Sequence, residues 1–340
     1  MRMPTTPDTP ISVYFLGSGR LGVPVLQALI GDSRFRLLGI GTQPDRPAGR
    51  KRVPTPTPVG QFCAENQLQA AKPISVNRPE FLDMLRVLAP EIVVVASFGQ
   101  LLKTDILTLP KFGCFNVHSS LLPRWRGASP INAAILHGDA EAGVCFMAMD
   151  QGLDTGGVYD TIRIPLTGRE TAETLEETMA RLAAECIGDC LVRVCREGLA
   201  AVPQPAEGMT YAPKLKKDDG LISWANPAQV IERQVRGLLP WPRAHFQLAT
   251  PKGPCNLQVT QAEPLPLPAG QYRPGDVIQA DNNGWVVACG EDALALRRVI
   301  PEGRQEMAAA DFMRGHRVPV GSNLNPLITV ETTHETDSHQ

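Results

Sequence analysis

Three features of the sequence predict an α/β fold with a mostly parallel, doubly wound sheet, followed by a smaller β domain. Short apolar runs, "ISVYFLG" (11–17), "FRLLGIGT" (35–42) and "EIVVVAS" (91–97), alternate with segments that have a helical spacing of apolar residues. Strands and helices that alternate in this way are typical of parallel sheets covered on both faces. Towards the end of the chain, short strand-like runs separated by turn residues favour a small β-barrel.

The middle of the chain continues the same alternation. "GCFNVHS" (113–119) predicts a further strand, and "SPINAAILHG" predicts a helix with Ser129 as its N-cap and Pro130 in its first turn. "AGVCFMAM" and "GVYDTIRIPL" predict two strands on either side of the turn-rich segment "DQGLDTGG". A long amphipathic helix follows, and its apolar residues recur every three or four positions: Leu175, Met179, Leu182, Cys186, Cys190 and Val194. This spacing favours packing roles for the cysteines.

The composition changes after this helix. The segment 198–220 contains prolines, a lysine-rich stretch and no clear periodicity, which is typical of a link between domains. We therefore expect a first domain at 1–200, a linker at 201–220, a second domain at 221–325 and a loose polar tail at 326–340.

Composition narrows the possible functions. The 340 residues carry a formal net charge of −2, so a nucleic-acid partner would have to be met by a local basic patch. The eight cysteines form no C-x-x-C motif and no metal-like spacing with the six histidines, which favours reduced thiols and no metal. No apolar run approaches the ~20 residues of a membrane span. We expect a cytoplasmic protein.

The segment "GSGRLG" (17–22) has the G-x-G-x-x-G spacing of dinucleotide-binding loops and lies between a strand and a helix. The second strand, however, ends in "GIGTQPD" and has no acidic residue at its tip to hold a ribose. An NAD(P)-dependent oxidoreductase is therefore disfavoured. We favour a glycine turn that lets the helix pack close to the sheet.

The segment "QPDRPAGRKRVPTPTP" (43–58) is a proline-rich insertion, longer than the two to six residues of a usual α/β connection. Against Asp45 it carries four basic residues, Arg46, Arg50, Lys51 and Arg52. Such charges often only interact with solvent, but a proline-stiffened basic loop also suits contact with phosphates. These residues alone leave both interpretations open.

Asn116 and His118 are two residues apart in a predicted strand, so their side chains point to the same face. Asp154, in the turn "GLDTGG", could reach back to the imidazole. An amide donor, an imidazole and a carboxylate can together stabilise an oxyanion and move a proton. A nucleophilic triad using Ser119 or Ser120 is disfavoured, because the G-x-S-x-G elbow is absent.

The segment "NVHSSLLPRWRGASPI", followed by "MDQGLDTG", resembles the signature of the folate-dependent formyltransferases. "TQPDRPAGR", "TYAPKLKK" and "PWPRAHF" resemble the branch of that family that acts on tRNA. The resemblance implies a Rossmann-like catalytic domain and an OB-like C-terminal domain that binds tRNA. It also implies 10-formyltetrahydrofolate as the formyl donor and the α-amino group of methionine on initiator tRNA as the acceptor.

The resemblance also implies roles for individual residues. Asn116, His118 and Asp154 match the catalytic set. The loop that lines the folate corresponds to Ser120, Leu121, Leu122 and Pro123, and Arg50 matches the loop arginine that meets the tRNA acceptor end. We expect the other basic residues of the same loop, Arg46, Lys51 and Arg52, to contact tRNA as well. We expect a monomeric bacterial enzyme that needs no metal. A formyltransferase acting on a nucleotide-sugar amine is the alternative, and the basic loop disfavours it.

Overall fold

The computed structural model describes residues 9–48, 53–250, 253–281, 284–316 and 318–325. The chain divides into two compact units, Met1–Leu215 and Lys216–Gln340. The segment predicted as a linker, 201–220, spans this division, and its residues up to 215 belong to the first unit.

The first unit has ten strands and six helices among its described residues. The strands are β1 (Ile11–Gly17), β2 (Phe35–Gly41), β3 (Arg46–Ala48), β4 (Val53–Thr55), β5 (Ile92–Ala96), β6 (Cys114–His118), β7 (Arg126–Gly127), β8 (Glu141–Ala148), β9 (Val158–Pro165) and β10 (Tyr211–Ala212). The helices are α1 (Gly22–Gly31), α2 (Pro58–Glu65), α3 (Pro79–Leu88), α4 (Thr104–Leu107), α5 (Pro130–His137) and α6 (Ala172–Arg196).

A six-stranded sheet in the order β2-β1-β5-β6-β8-β9 forms the centre of this unit. The pairs from β2 to β6 are parallel, and β8 and β9 extend the sheet antiparallel. Val13 and Phe15 belong to one apolar core, whereas Tyr14 and Leu16 belong to a second one. Because neighbouring residues of a strand point to opposite faces, the central strands are apolar throughout. The predicted Rossmann-like, mostly parallel sheet is confirmed.

Two details of the helices differ from the prediction. Ser129 is the N-cap residue of α5, but its side chain makes no capping hydrogen bond. Its backbone N–H donates to the carbonyl oxygen of Ala212 at 3.3 Å, so β10 supplies a hydrogen-bond acceptor for one backbone N–H at the start of this helix. On α6, Cys190 is buried as expected, whereas Cys186 is exposed. The apolar stripe of α6 is therefore narrower than the spacing predicted.

The glycine turn at residues 17–22 has the packing role that we inferred. A Cβ atom on Gly19 would lie 2.8 Å from the Cβ of Ser97, and one on Gly22 would lie 3.2 Å from the carbonyl oxygen of Ala96. Ser18 accepts a hydrogen bond from the backbone N–H of Gln43 at 3.0 Å and donates one to a neighbouring loop carbonyl. The turn thus brings α1 close to the sheet.

The basic insertion contains secondary structure that the sequence did not predict. β3 and β4 pair antiparallel, with Arg46 opposite Thr55. Arg50, Lys51 and Arg52 lie outside the described residues.

In its described residues the second unit is a β domain with two α-helices. Its elements are a 3₁₀ helix (Lys217–Gly220), α7 (Ala228–Gly237), β11 (Ala244–Thr250), β12 (Gly253–Leu265), β13 (Val277–Asp281), β14 (Gly284–Ala288), β15 (Ala293–Pro301), β16 (Met307–Ala308) and α8 (Ala309–Gly315). The strands pair antiparallel in the order β11-β12-β15-β14-β13, and β16 adds to β15. Trp224, Phe246, Trp285 and Phe312 are buried in its core. This architecture is OB-like, as predicted.

Candidate active site

The candidate site lies at the carboxyl ends of β5 and β6, where parallel sheets commonly place their ligands. Asn116 on β6 pairs with Val95 on β5, and His118 pairs with Cys145 on β8. Between them, Val117 belongs to the apolar core that contains α1 and α6. Asn116 is 9% exposed and His118 is 5% exposed, so the strand holds two nearly buried polar side chains.

Both ring nitrogens of His118 face oxygen atoms of other loops. Nε2 lies 3.1 Å from the backbone carbonyl oxygen of Trp125, and Nδ1 lies 3.7 Å from Oδ1 of Asp154. Because a carbonyl oxygen can only accept, Nε2 carries a proton in this arrangement. Nδ1 is therefore the nitrogen that can gain or lose a proton, and the carboxylate of Asp154 faces it.

Asp154 is held by its backbone and by its second carboxylate oxygen. Its φ is +53°, a left-handed conformation that is uncommon outside glycine. Oδ2 accepts a 2.8 Å hydrogen bond from the backbone N–H of Gly127. Gly127 has a φ of +118°, and a Cβ atom there would lie 2.6 Å from the carbonyl oxygen of Ala212. Only glycine allows the two backbones to approach this closely.

Hydrogen bonds made by polar side chains within the turn stabilise the segment that carries Asp154. Oδ1 of Asp150 accepts hydrogen bonds from the backbone N–H of Gly152 at 3.0 Å and from the hydroxyl of Thr155 at 2.6 Å. A Cβ atom on Gly156 would lie 1.9 Å from the carbonyl oxygen of Ala148, so the turn packs directly on the end of β8. The segment predicted as a turn from "DQGLDTGG" is thus a compact structure that presents Asp154.

A partly buried clamp holds Trp125, the residue whose carbonyl faces His118, and sequence reasoning missed it. Asp139 accepts two hydrogen bonds from Arg124, at 2.8 and 2.6 Å, and one from the indole N–H of Trp125 at 2.6 Å. The guanidinium of Arg124 also lies 4.2 Å from the centroid of the Trp125 ring. Burial opposes ionisation of Asp139, but the hydrogen bonds from Arg124 and Trp125 outweigh it and lower its pKa.

A cleft of about 680 Å³ opens over these residues. Its lining includes Asn116, His118 and Asp154, together with residues 97–102, the loop around Arg126 and residues 211–214. The residues expected to line the folate, Ser120, Leu121, Leu122 and Pro123, are not among the described residues of the lining. Ser120 instead donates a 2.7 Å hydrogen bond to the carbonyl oxygen of Arg124. Their assignment to folate binding stays a prediction.

Of the basic residues expected to meet tRNA, the structure describes Arg46 alone. Its Nη2 lies 3.4 Å from Oε1 of Gln43, and the residue is exposed. Its contact with tRNA stays a prediction, as do those of the other three.

Comparison with known proteins identifies the family. The formyl transferase family matches residues 12–191, and the formyl transferase C-terminal domain matches residues 214–317. A protein of Magnetococcus marinus named methionyl-tRNA formyltransferase is 39% identical over 317 residues, covering 92% of this chain and 97% of the relative. The chain belongs to the methionyl-tRNA formyltransferase family. A second member, from Symbiobacterium thermophilum, is 39% identical over 317 residues, covering 93% of this chain and 96% of its own length.

Solved structures with little sequence identity share the formyltransferase fold. WlaRD, a sugar 3N-formyl transferase crystallised with dTDP and 5-N-formyl-THF, has a TM-score of 0.61 at 16% identity, covering 87% of this chain and all of that one. HypX from Aquifex aeolicus in complex with tetrahydrofolic acid has a TM-score of 0.58 at 13% identity. This chain is covered to 90% in that comparison and spans about half of HypX, 47% of its length.

Two negative findings apply to the part of the chain that the structure describes. None of its helices is long and apolar enough to cross a membrane. No group of three or more His, Cys, Asp or Glu side chains there has the geometry to hold a metal ion.

We predict that Asp139→Asn destabilises the protein, because Asn cannot accept both hydrogen bonds from Arg124 and also the hydrogen bond from the indole N–H of Trp125. The expected loss in the free energy of unfolding is about 1–3 kcal/mol at pH 7, measured by urea unfolding followed by circular dichroism. The lowered pKa of Asp139 sets the pH dependence: its contribution is complete above the ordinary aspartate pKa of about 4 and is lost as the pH falls through the folded value.

The difference between the variant and the unmodified protein should therefore shrink at acidic pH. Asp105→Asn is the matched control, since Asp105 is exposed on α4. Equal effects of the two substitutions, or a difference that stays constant down to acidic pH, would contradict the clamp.

Proposed function

We propose that the chain transfers the formyl group of 10-formyltetrahydrofolate to the α-amino group of methionyl initiator tRNA. The observation that carries the proposal is the arrangement of Asn116, His118 and Asp154 at the cleft, with Nδ1 of His118 facing the Asp154 carboxylate at 3.7 Å. Relatives named methionyl-tRNA formyltransferase, aligned over more than nine tenths of the chain, support this acceptor. The proposal includes a monomeric enzyme. It also places the enzyme in the bacterial cytoplasm, because charged tRNA and folate are cytoplasmic substrates.

Formyl transfer to an amine needs a group that stabilises an oxyanion and a group that carries a proton away from the amine. The amine nitrogen bonds to the formyl carbon, and the carbonyl electron pair moves onto oxygen. The tetrahedral intermediate collapses when the bond to the donor nitrogen breaks; the amine has then lost one proton and the donor nitrogen has gained one. Both the charge and the proton must be handled within the cleft.

The three side chains divide this work. The carboxamide of Asn116 donates to the developing oxyanion from a fixed position on β6. The carbonyl of Trp125 holds Nε2 of His118, so Nδ1 can accept the proton that the attacking amine loses and pass it to the donor nitrogen. Asp154, which faces Nδ1, stabilises the imidazolium that forms, and the positive charge of this imidazolium in turn stabilises the oxyanion. These groups are nearly buried, so their electrostatic effects are stronger than in water.

The cleft also suits a folate donor. Its volume of about 680 Å³ lies within the ~300–1,000 Å³ typical of small-molecule sites. Leu101 and Met149 supply apolar surface for a flat ring system, and Asn116 and Asp154 supply polar groups. The tetrahydrofolic acid held by HypX supports a folate of this class.

A nucleotide-sugar amine is the second candidate acceptor. WlaRD, a sugar 3N-formyl transferase, shares the fold, which leaves the acceptor undecided. The basic insertion at 43–58 and the relatives named methionyl-tRNA formyltransferase favour tRNA.

We predict that His118→Ala, Asn116→Ala and Asp154→Asn each lower the single-turnover rate of formyl transfer by a factor on the order of 10²–10³, because each removes support for the same transition state. Circular dichroism should show the native fold in all three. Ser119→Ala is the matched control: Ser119 adjoins His118 at the cleft, and a nucleophilic serine would make it essential. Near-normal rates in the first three variants, or a collapse of activity in Ser119→Ala, would reject this assignment.

We predict that Arg50→Leu reduces kcat/KM for methionyl-tRNA and leaves folate binding unchanged, because its guanidinium would clamp a phosphate of the acceptor stem. The loss should shrink as salt rises, since each lost phosphate contact removes roughly one unit from the log–log salt slope. Arg50→Lys should restore only part of the rate, because a point charge cannot make a bidentate contact.

Arg86→Leu serves as the control, because Arg86 is exposed on α3 and pairs within its own helix with Asp83. Activity should be assayed with methionyl-tRNA and, in parallel, with a nucleotide-sugar amine. Unchanged tRNA kinetics in Arg50→Leu, together with turnover of the sugar substrate, would favour the second candidate.

A further inference from the structure

The two family matches leave residues 192–213 between them unassigned. Part of this segment, residues 199–212, runs along the candidate site, and we name it the strap. Val202 exchanges two backbone hydrogen bonds of 2.8 Å with Val158 at the start of β9. At its other end, β10 pairs parallel with β7. The hydroxyl of Thr210 accepts the backbone N–H of Trp125 at 2.9 Å, so the strap contacts the loop that holds His118.

Gln204 lies in the strap and joins two parts of the site through its side-chain amide. Its Nε2 donates to the carbonyl oxygens of Asp154 and Gly156, both at 2.8 Å. Its Oε1 accepts from Nε and Nη2 of Arg126, at 3.1 and 2.7 Å. Every polar atom of this amide therefore has a partner, and the two carbonyls bracket the residue that follows Asp154.

The partners of Gln204 fix both its orientation and its identity. Two carbonyl oxygens can only accept and a guanidinium can only donate, so the amide can be placed one way only. A glutamate could still accept from Arg126, but its other oxygen would face two carbonyl oxygens without a proton to share. An asparagine would be shorter by one methylene. Glutamine alone among the side chains of this length offers a double donor beside an acceptor.

This contact acts on a strained residue. Asp154 has a φ of +53°, and such conformations are unfavourable for a residue other than glycine and persist when their surroundings enforce them. Its carboxylate is fixed by Gly127, whereas its carbonyl is fixed by Gln204. Arg126, which Gln204 holds by its side chain, directly precedes Gly127, the residue whose N–H binds the Asp154 carboxylate. The Gln204 amide therefore contacts both the turn that carries Asp154 and the strand that binds its carboxylate.

We propose that Gln204 is a positioning residue for Asp154: it holds the backbone of the 150–156 turn so that the carboxylate stays opposite Nδ1 of His118. The inference rests on the proposed function, since Asp154 acts on the reaction through that imidazole. It also gives the strap a role in catalysis, although the strap lies outside both matched family segments.

The test is Gln204→Glu in the full chain, because this change keeps the side-chain length and the contact with Arg126, removes the two donated hydrogen bonds and places a carboxylate oxygen against the two carbonyls. We expect kcat for formyl transfer to fall about tenfold to a hundredfold, since displacements near 1 Å at a catalytic group have effects of this order. KM for the folate donor should stay within about twofold. Glu207→Gln is the matched control, because Glu207 is exposed in the same strap.

A double-mutant cycle separates positioning from general destabilisation. In an Asp154→Asn background, Gln204→Glu should cause little further loss of kcat, because the group that it positions is already absent. The ¹⁵N signals of the His118 imidazole should shift in Gln204→Glu in the same direction as in Asp154→Asn, and stay in place in Glu207→Gln. Gln204→Met, which lacks the donors without adding charge, should reproduce the loss of kcat.

The outcomes are distinguishable. Multiplicative losses in the cycle, or a normal kcat in both Gln204 variants beside an active unmodified protein, would overturn the positioning role alone. A drop in melting temperature that accounts for the lost activity of both variants would also overturn it, since Gln204 would then be a structural residue. An unmodified protein that transfers no formyl group would refute the proposed function together with the inference.

Discussion

The imidazole of His118 is nearly buried and has two nitrogens, and a buried polar group without a partner is costly. The strand that carries it cannot supply those partners, because its backbone groups are used in the sheet. One nitrogen is therefore matched by the carbonyl of Trp125 and the other faces the carboxylate of Asp154. The arrangement of the loops around the cleft follows from this requirement.

Meeting that requirement forces unusual backbone at both partners. Trp125 has a φ of +62° and Asp154 a φ of +53°, so the two residues that face the ring nitrogens are both left-handed. Such conformations are unfavourable for side chains of this kind, and strain of this type concentrates at functional sites. Separate hydrogen-bonded supports hold each one: Asp139 fixes Trp125, and Gln204 fixes the backbone of Asp154. The strain is sustained by groups that do not face the reaction.

The strands and the residues facing the cleft could be predicted from the sequence, whereas the residues that support them could not. The strands were predictable because apolar residues on both faces of a central strand leave an unmistakable run, and Asn116 and His118 followed from the period of two. The carbonyl of Trp125 has no signature in the sequence, since every residue has one. Asp139 and Gln204 are ordinary polar residues whose importance arises from contacts with residues 14 and 50 positions away. The strand period, the turn sequence and then the family resemblance all indicated Asn116, His118 and Asp154 as the candidate catalytic residues, but no pattern identified their supports.

The distinction between the reacting residues and the rest of the chain also bears on how proteins of one fold can act on different amines. The sugar transferase WlaRD shares the fold at 16% identity, so the fold by itself does not identify the acceptor. In the proposed mechanism the oxyanion and proton chemistry is the same for any primary amine, and it uses the groups around His118. Discrimination must therefore come from parts that touch the acceptor beyond its amine. In this chain the 43–58 insertion has the charge for that purpose, because a tRNA brings phosphates that a small amine does not.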